Sequence, residues 1–140
     1  MRFSVVGAIG AVVDFGTFNV LTNLFNLLPV LASVFSFTAA VFSNFLWNRF
    51  WTYPDSRSKP ILRQMLEFGF INMIGLAIRT PLFAFLEKPL PEFYATFRLP
   101  STFPFDAQFL GHNTALAIAV VVVMFWNFFV NRYFTYSDVQ

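Results

Sequence analysis

Two charged residues stand where an apolar chain has least use for them. Asp14 lies eleven residues from each end of a first apolar run over 3–25, and Arg79 lies deep in a third run over 66–86. A charge at the centre of a hydrocarbon layer costs about 2.5–3.5 kcal/mol on insertion scales, so neither group is expected to face lipid alone. Two readings stay open. One is a structural ion pair that fixes helix packing, with an outward-snorkelling Arg79 as its variant. The other is a polar centre between two halves of the chain that contacts a hydrophilic cargo.

A second chemistry occurs twice. Asn44, Phe45, Leu46, Trp47, Asn48, Arg49, Phe50, Trp51, Thr52, Tyr53 returns as Asn127, Phe128, Phe129, Val130, Asn131, Arg132, Tyr133, Phe134, Thr135, Tyr136, with six of ten positions identical. Each copy closes an apolar run, as expected where a helix leaves hydrocarbon for a charged membrane surface. The guanidinium forks and amide donors of Asn48, Arg49, Asn131 and Arg132 suit a lipid phosphate. Interfacial anchoring by arginine and aromatic rings is the simpler alternative. Two asparagines four apart beside each arginine exceed what anchoring requires.

His112 and Asp106 invite a proton relay, but a lone interfacial histidine is more often a polar cap. No Walker A loop, metal-spaced cluster or nucleophile elbow occurs, so no catalytic residue, metal or cofactor is assigned, and an enzyme is not expected. The absence of cysteine removes disulfides and thiolate chemistry.

The elements that must position these groups follow from composition. With 57% hydrophobic and 11% charged residues the chain is a membrane protein. Its 140 residues hold about four spans of roughly 20 residues, with no separate soluble domain expected. A net charge of +2 leaves no nucleic-acid footprint. The first run is too long for a signal peptide and is expected to remain a helix. Within it Gly7, Ala8 and Ala11 form a small face for close helix approach.

Asn26 to Pro29 reads as a tight turn, with Pro29 opening the second helix. There Ala32, Ser36, Ala40, Asn44 and Asn48 recur every fourth residue, a small and polar stripe that lipid cannot satisfy. A basic connector over 54–64 carries Arg57, Lys59 and Arg63. An outer loop over about 87–108 reads as non-helical and interfacial, because it holds Pro89, Pro91, Pro100 and Pro104 among aromatics. The fourth span covers about 109–130.

The expected fold is all-α, with four transmembrane helices built as two parallel two-helix repeats, about 1–53 and about 64–136, in a single domain. The repeat extends beyond the motif, since aligning Phe3 with Phe68 pairs Gly10 with Gly75 and Asp14 with Arg79. Lysine and arginine counts put both termini in the cytoplasm.

Taken together the residues resemble the GtrA-like family of small bacterial membrane proteins. The resemblance rests on Arg2, Phe3, Val6, Gly7, Asp14 and Phe15, on Asn48, Arg49, Trp51 and Thr52, and on Asn131, Arg132, Tyr133 and Thr135. It covers essentially the whole chain, with a longer outer loop and with Tyr53 and Tyr136 where phenylalanine is common. It implies a multi-pass protein of the bacterial cytoplasmic membrane that serves polysaccharide or lipopolysaccharide modification by moving polyprenyl-phosphate-linked sugars. In that reading Arg49 and Arg132, with Asn48 and Asn131, hold the phosphate. Asp14, Arg79, Ser36, Asn44 and Asn127 form an intramembrane polar centre. The partners expected are the lipid-linked sugar, membrane lipid and further copies of the chain. The alternative is a non-transporting anchor that recruits a glycosyltransferase. A small-cation exporter is disfavoured, because Arg79 at the depth of Asp14 would repel cations.

Overall fold

The structure, a computed structural model, describes residues 2–52, 60–97, 99–100 and 102–130; the side chains of 2–4, 52, 64, 67 and 127–130 are outside that description. Helix α1 covers Arg2–Asn23 and α2 covers Pro29–Trp47, with a π-helical turn Asn48–Thr52 continuing it. Then come α3 over Ile61–Leu86, α4 over Pro89–Ala95 and α5 over Ala107–Val130. The described residues contain no strand, and four helical stretches are long and apolar enough to cross a membrane. The chain is an all-α, multi-pass membrane protein.

It divides into two compact units, Met1–Leu76 and Ala77–Gln140. In the first, α1 and α2 form a hairpin. Asn26 takes a left-handed conformation, φ 50°, which asparagine tolerates. The Leu27 N–H folds back 2.9 Å onto the Leu21 carbonyl. Pro29 then occupies the first turn of α2, where its missing N–H costs nothing. The expected turn and helix start are both present.

The hairpin buries one line from each helix. From α1 it takes Val6, Gly10, Asp14 and Phe18, and from α2 Ala32, Ser33, Ser36, Phe37 and Ala40. The small and polar stripe of α2 therefore faces protein along its first turns. The close approach falls elsewhere than expected. Gly7 has nothing within 4 Å of where a Cβ would stand, and Ala8 is exposed. Gly10 is the residue that makes room, because it shares the four-residue line of Val6, Asp14 and Phe18, whereas Gly7 lies off that line.

Polar residues inside the spans mostly return to their own helix. Asn19, Asn23, Asn72 and Asn113 each donate Nδ2 to the carbonyl four residues earlier, at 2.7–2.9 Å. Thr22 and Thr38 do the same with their hydroxyls, at 2.9 and 2.8 Å. These bonds satisfy in place groups that lipid would leave unpaired.

The second unit departs from expectation at the outer loop. Residues 87–108 are not wholly irregular: Pro89–Ala95 is helical, with Pro89 and Pro91 in its first turn, where proline is compatible with a helix. Gly111 of α5 lies so close to α4 that a Cβ would overlap the Pro91 backbone, and Tyr94 OH meets Thr114 Oγ1 at 3.0 Å. Helix α3 begins at Ile61, inside the stretch read as connector, and runs unbroken through Pro81. Lacking an N–H, Pro81 deprives the Ala77 carbonyl of its usual helical donor, at the point where the second unit begins.

Candidate functional site in the membrane-spanning helices

Asp14 is buried, as its position in α1 predicts, and its Oδ1 accepts a 2.7 Å hydrogen bond from Ser36 Oγ of α2. Ser36 is fully buried and also lies 3.1 Å from the Ser33 carbonyl of its own helix. A single hydroxyl hydrogen serves one acceptor well at a time, and the shorter contact is the one to the carboxyl. The sequence brings these residues together because Asp14 is on the buried line of α1 and Ser36 on the stripe of α2. Sequence reasoning placed both in a polar centre but missed Ser33 and Gly10. The i, i+4 series Val6, Gly10, Asp14, Phe18 was the available signal for the glycine.

Asn44 lies against α1 at Gly10: a Cβ there would fall 2.7 Å from Asn44 Nδ2, with the amide oxygen nearer still. The amide oxygens of Asn44 and Asn48 are buried without a hydrogen-bond partner among the described residues. Asn48 itself opens the π-helical turn, a geometry enriched at functional sites. Arg49 is buried within this turn, not fully extended into solvent as a simple interfacial anchor would be. Trp47 and Trp51 pack edge to face, with ring centroids 6.0 Å apart, a favoured aromatic arrangement.

Arg79 of α3 is 1% exposed, and Phe83 one turn later is fully buried. Asp14 and Arg79 belong to different units, and each is described within its own. The Asn127 side chain, Asn131 and Arg132 lie outside the described residues, as do Arg57 and Lys59, while Arg63 is an exposed residue of α3.

At the far end of the second unit Asp106 caps α5, its Oδ1 accepting the Phe109 N–H at 2.7 Å. His112 is hydrogen-bonded to the backbone of Glu87, just past the end of α3. Both contacts are helix-end caps, in keeping with the polar-cap reading. Among the described residues no three His, Cys, Asp or Glu side chains gather as a metal site.

Comparison with known proteins agrees with this architecture. The profile described as GtrA/DPMS, transmembrane domain, matches residues 2–136. The uncharacterized membrane protein YngA of Bacillus subtilis is 35% identical over 78 residues, covering 55% of this chain and 51% of that protein. A dolichol-phosphate mannosyltransferase of Pyrococcus furiosus is 28% identical over 78 residues, covering 56% of this chain and 22% of the enzyme. The shared region is thus about half of the first relative and about a fifth of the second. No solved structure matches the chain. A profile match over nearly every residue, on four apolar spans with the polar positions described above, makes this chain a member of the GtrA/DPMS transmembrane-domain family.

Proposed function

We propose that the protein moves polyprenyl-phosphate-linked sugars across the bacterial cytoplasmic membrane for modification of cell-surface polysaccharide or lipopolysaccharide. The observation that carries this reading is the buried Asp14–Ser36 pair at mid-span, in a chain that is similar over 78 residues to a dolichol-phosphate mannosyltransferase. A sugar phosphate cannot cross hydrocarbon alone, because its hydroxyls and charge would lose their partners. Asp14, Ser36 and Asn44 offer such partners in the first unit, and Arg79 offers one within its own, while the polyprenyl tail stays in lipid. Arg49 and Arg132, with Asn131, take the phosphate first, and Asn127 continues the polar lining. Two parallel repeats with both termini inside would put the two arginines on the same leaflet. Outward movement of one negative charge gains about 2.3 kcal/mol per 100 mV of inside-negative potential. Four helices enclose little volume, so the working form is a homo-oligomer. The test is transport of a lipid-linked hexose in proteoliposomes. Arg49→Ala combined with Arg132→Ala is expected to reduce flipping at least tenfold, and unchanged flipping removes the capture role.

The second reading is a membrane anchor that recruits a glycosyltransferase. It is favoured by one observation, the likeness to a fifth of a dolichol-phosphate mannosyltransferase. An anchor would lose function when Arg57, Lys59 and Arg63 are neutralised, yet tolerate Asp14→Ala. The translocase would show the reverse.

A further inference from the structure

Asn44 and Asn48 stand apart from the other asparagines described in the spans. Asn19, Asn23, Asn72 and Asn113 spend their amide groups on their own helix. The amide oxygens of Asn44 and Asn48 are buried and find no hydrogen-bond donor among the described residues. They lie one turn apart, on the continuation of the stripe that carries Ala32, Ser36 and Ala40. A buried acceptor left open is expensive, and where a fold retains two side by side a ligand that supplies donors is the natural complement.

The chemistry of that ligand can be narrowed. A phosphate dianion offers only acceptors, so it cannot satisfy an amide oxygen. An ammonium or metal cation would have to enter beside Arg49, the next residue in the chain and itself buried, against like-charge repulsion. Neutral hydroxyls remain. Resting on the translocase reading, we infer that Asn44 and Asn48 accept hydrogen bonds from the hydroxyl groups of the sugar. They thereby determine specificity for a glycosylated lipid over its bare phosphate, while Arg49 serves the phosphate common to both. This reassigns Asn48 from phosphate donor to sugar acceptor. Gly10 is the positioning residue, since only a residue without Cβ leaves space for the Asn44 amide against α1.

The full chain in nanodiscs, titrated with a polyprenyl phosphate bearing one hexose, with the same lipid lacking the sugar, and with the free hexose, tests this assignment. Asn44→Leu combined with Asn48→Leu is expected to lower affinity for the hexose-bearing lipid about tenfold, to leave affinity for the bare lipid unchanged, and not to lower the melting temperature. Arg49→Ala is expected to weaken both lipids. The free hexose should bind too weakly to compete, since it lacks phosphate and tail. Equal loss for both lipids, or no loss for either, overturns the assignment. Should the double variant not fold, Asn48→Ala alone carries the same comparison between the two lipids. Wild-type protein that binds neither lipid overturns the translocase reading instead. Wild-type protein that binds both equally overturns only the sugar contact.

Discussion

The two halves bury many of the same positions with different chemistry, Val6 and Phe37 of the first having less buried counterparts in Ile71 and Val120. In the first, Gly10, Asp14 and Phe18 form the buried line of α1, and Ala32, Ser33, Ser36 and Ala40 that of α2. In the second, the aligned residues Gly75, Arg79 and Phe83 of α3 are buried, as are Ala115, Leu116, Ala119 and Val123 of α5. The scaffold of small and aromatic residues is thus common to both. The substituents at the polar level are not: carboxyl faces hydroxyl in the first, whereas the second carries Arg79 at the position of Asp14 and Ala119 at that of Ser36. The comparison separates a shared pattern of buried positions from the particular groups placed on them.

The largest expected effect comes from the second half. Arg79→Ala strips a fully buried guanidinium and is expected to cost about 3–5 kcal/mol in detergent unfolding, because its partners are left in a void. Wild-type stability in that variant would break the parallel with Asp14. Next is Ser36→Ala, which leaves Asp14 without the hydroxyl donor at 2.7 Å. That loss should cost about 1–3 kcal/mol. The reciprocal Ala119→Ser should stay within about 1 kcal/mol, since a serine there can bond its own helix as Thr38 does. A larger penalty for Ala119→Ser than for Ser36→Ala would reverse the assignment of the polar half.

The glycines sharpen the comparison further. Gly111→Ala drives a methyl into the Pro91 backbone, which cannot step aside, and should cost about 1–3 kcal/mol by thermal melting. Gly10→Ala meets only the tip of the Asn44 side chain. Its stability cost should therefore stay under about 1 kcal/mol, with the loss appearing in binding of the hexose-bearing lipid. The smallest effect is at Gly7, where nothing lies within 4 Å. Gly7→Ala should be neutral or stabilising by up to about 1 kcal/mol through helix propensity.

Much of the fold was legible because hydrocarbon imposes a simple rule: an apolar run of sufficient length becomes a helix that satisfies its own backbone. The four spans, the turn before Pro29 and the inward face of Ala32, Ser36 and Ala40 all follow from it. Helix α4 did not, because in sequence Pro89 and Pro91 read as helix breakers, although a first helical turn accommodates both. The close approach at Gly10 was misplaced onto Gly7 because a small-residue pattern gives a spacing without an azimuth. Asp14 supplied the azimuth, since a carboxyl in a span marks the inward side. The π-helical turn had no signal in residue type. The open oxygens of Asn44 and Asn48 depend on packing against another helix, which one helix's sequence does not encode.

The self-bonded asparagines and threonines bear on how the protein enters its membrane. A helix whose polar side chains already bond its own carbonyls can partition into the bilayer singly, so Asn19, Thr22, Asn23 and Thr38 place little demand on the insertion machinery. Asp14 has no such local remedy in the Ser36 contact, which only the following helix can deliver. The first two helices are therefore suited to leaving the translocation channel together, and a delay in synthesis between them would hold α1 at the channel until its serine arrives.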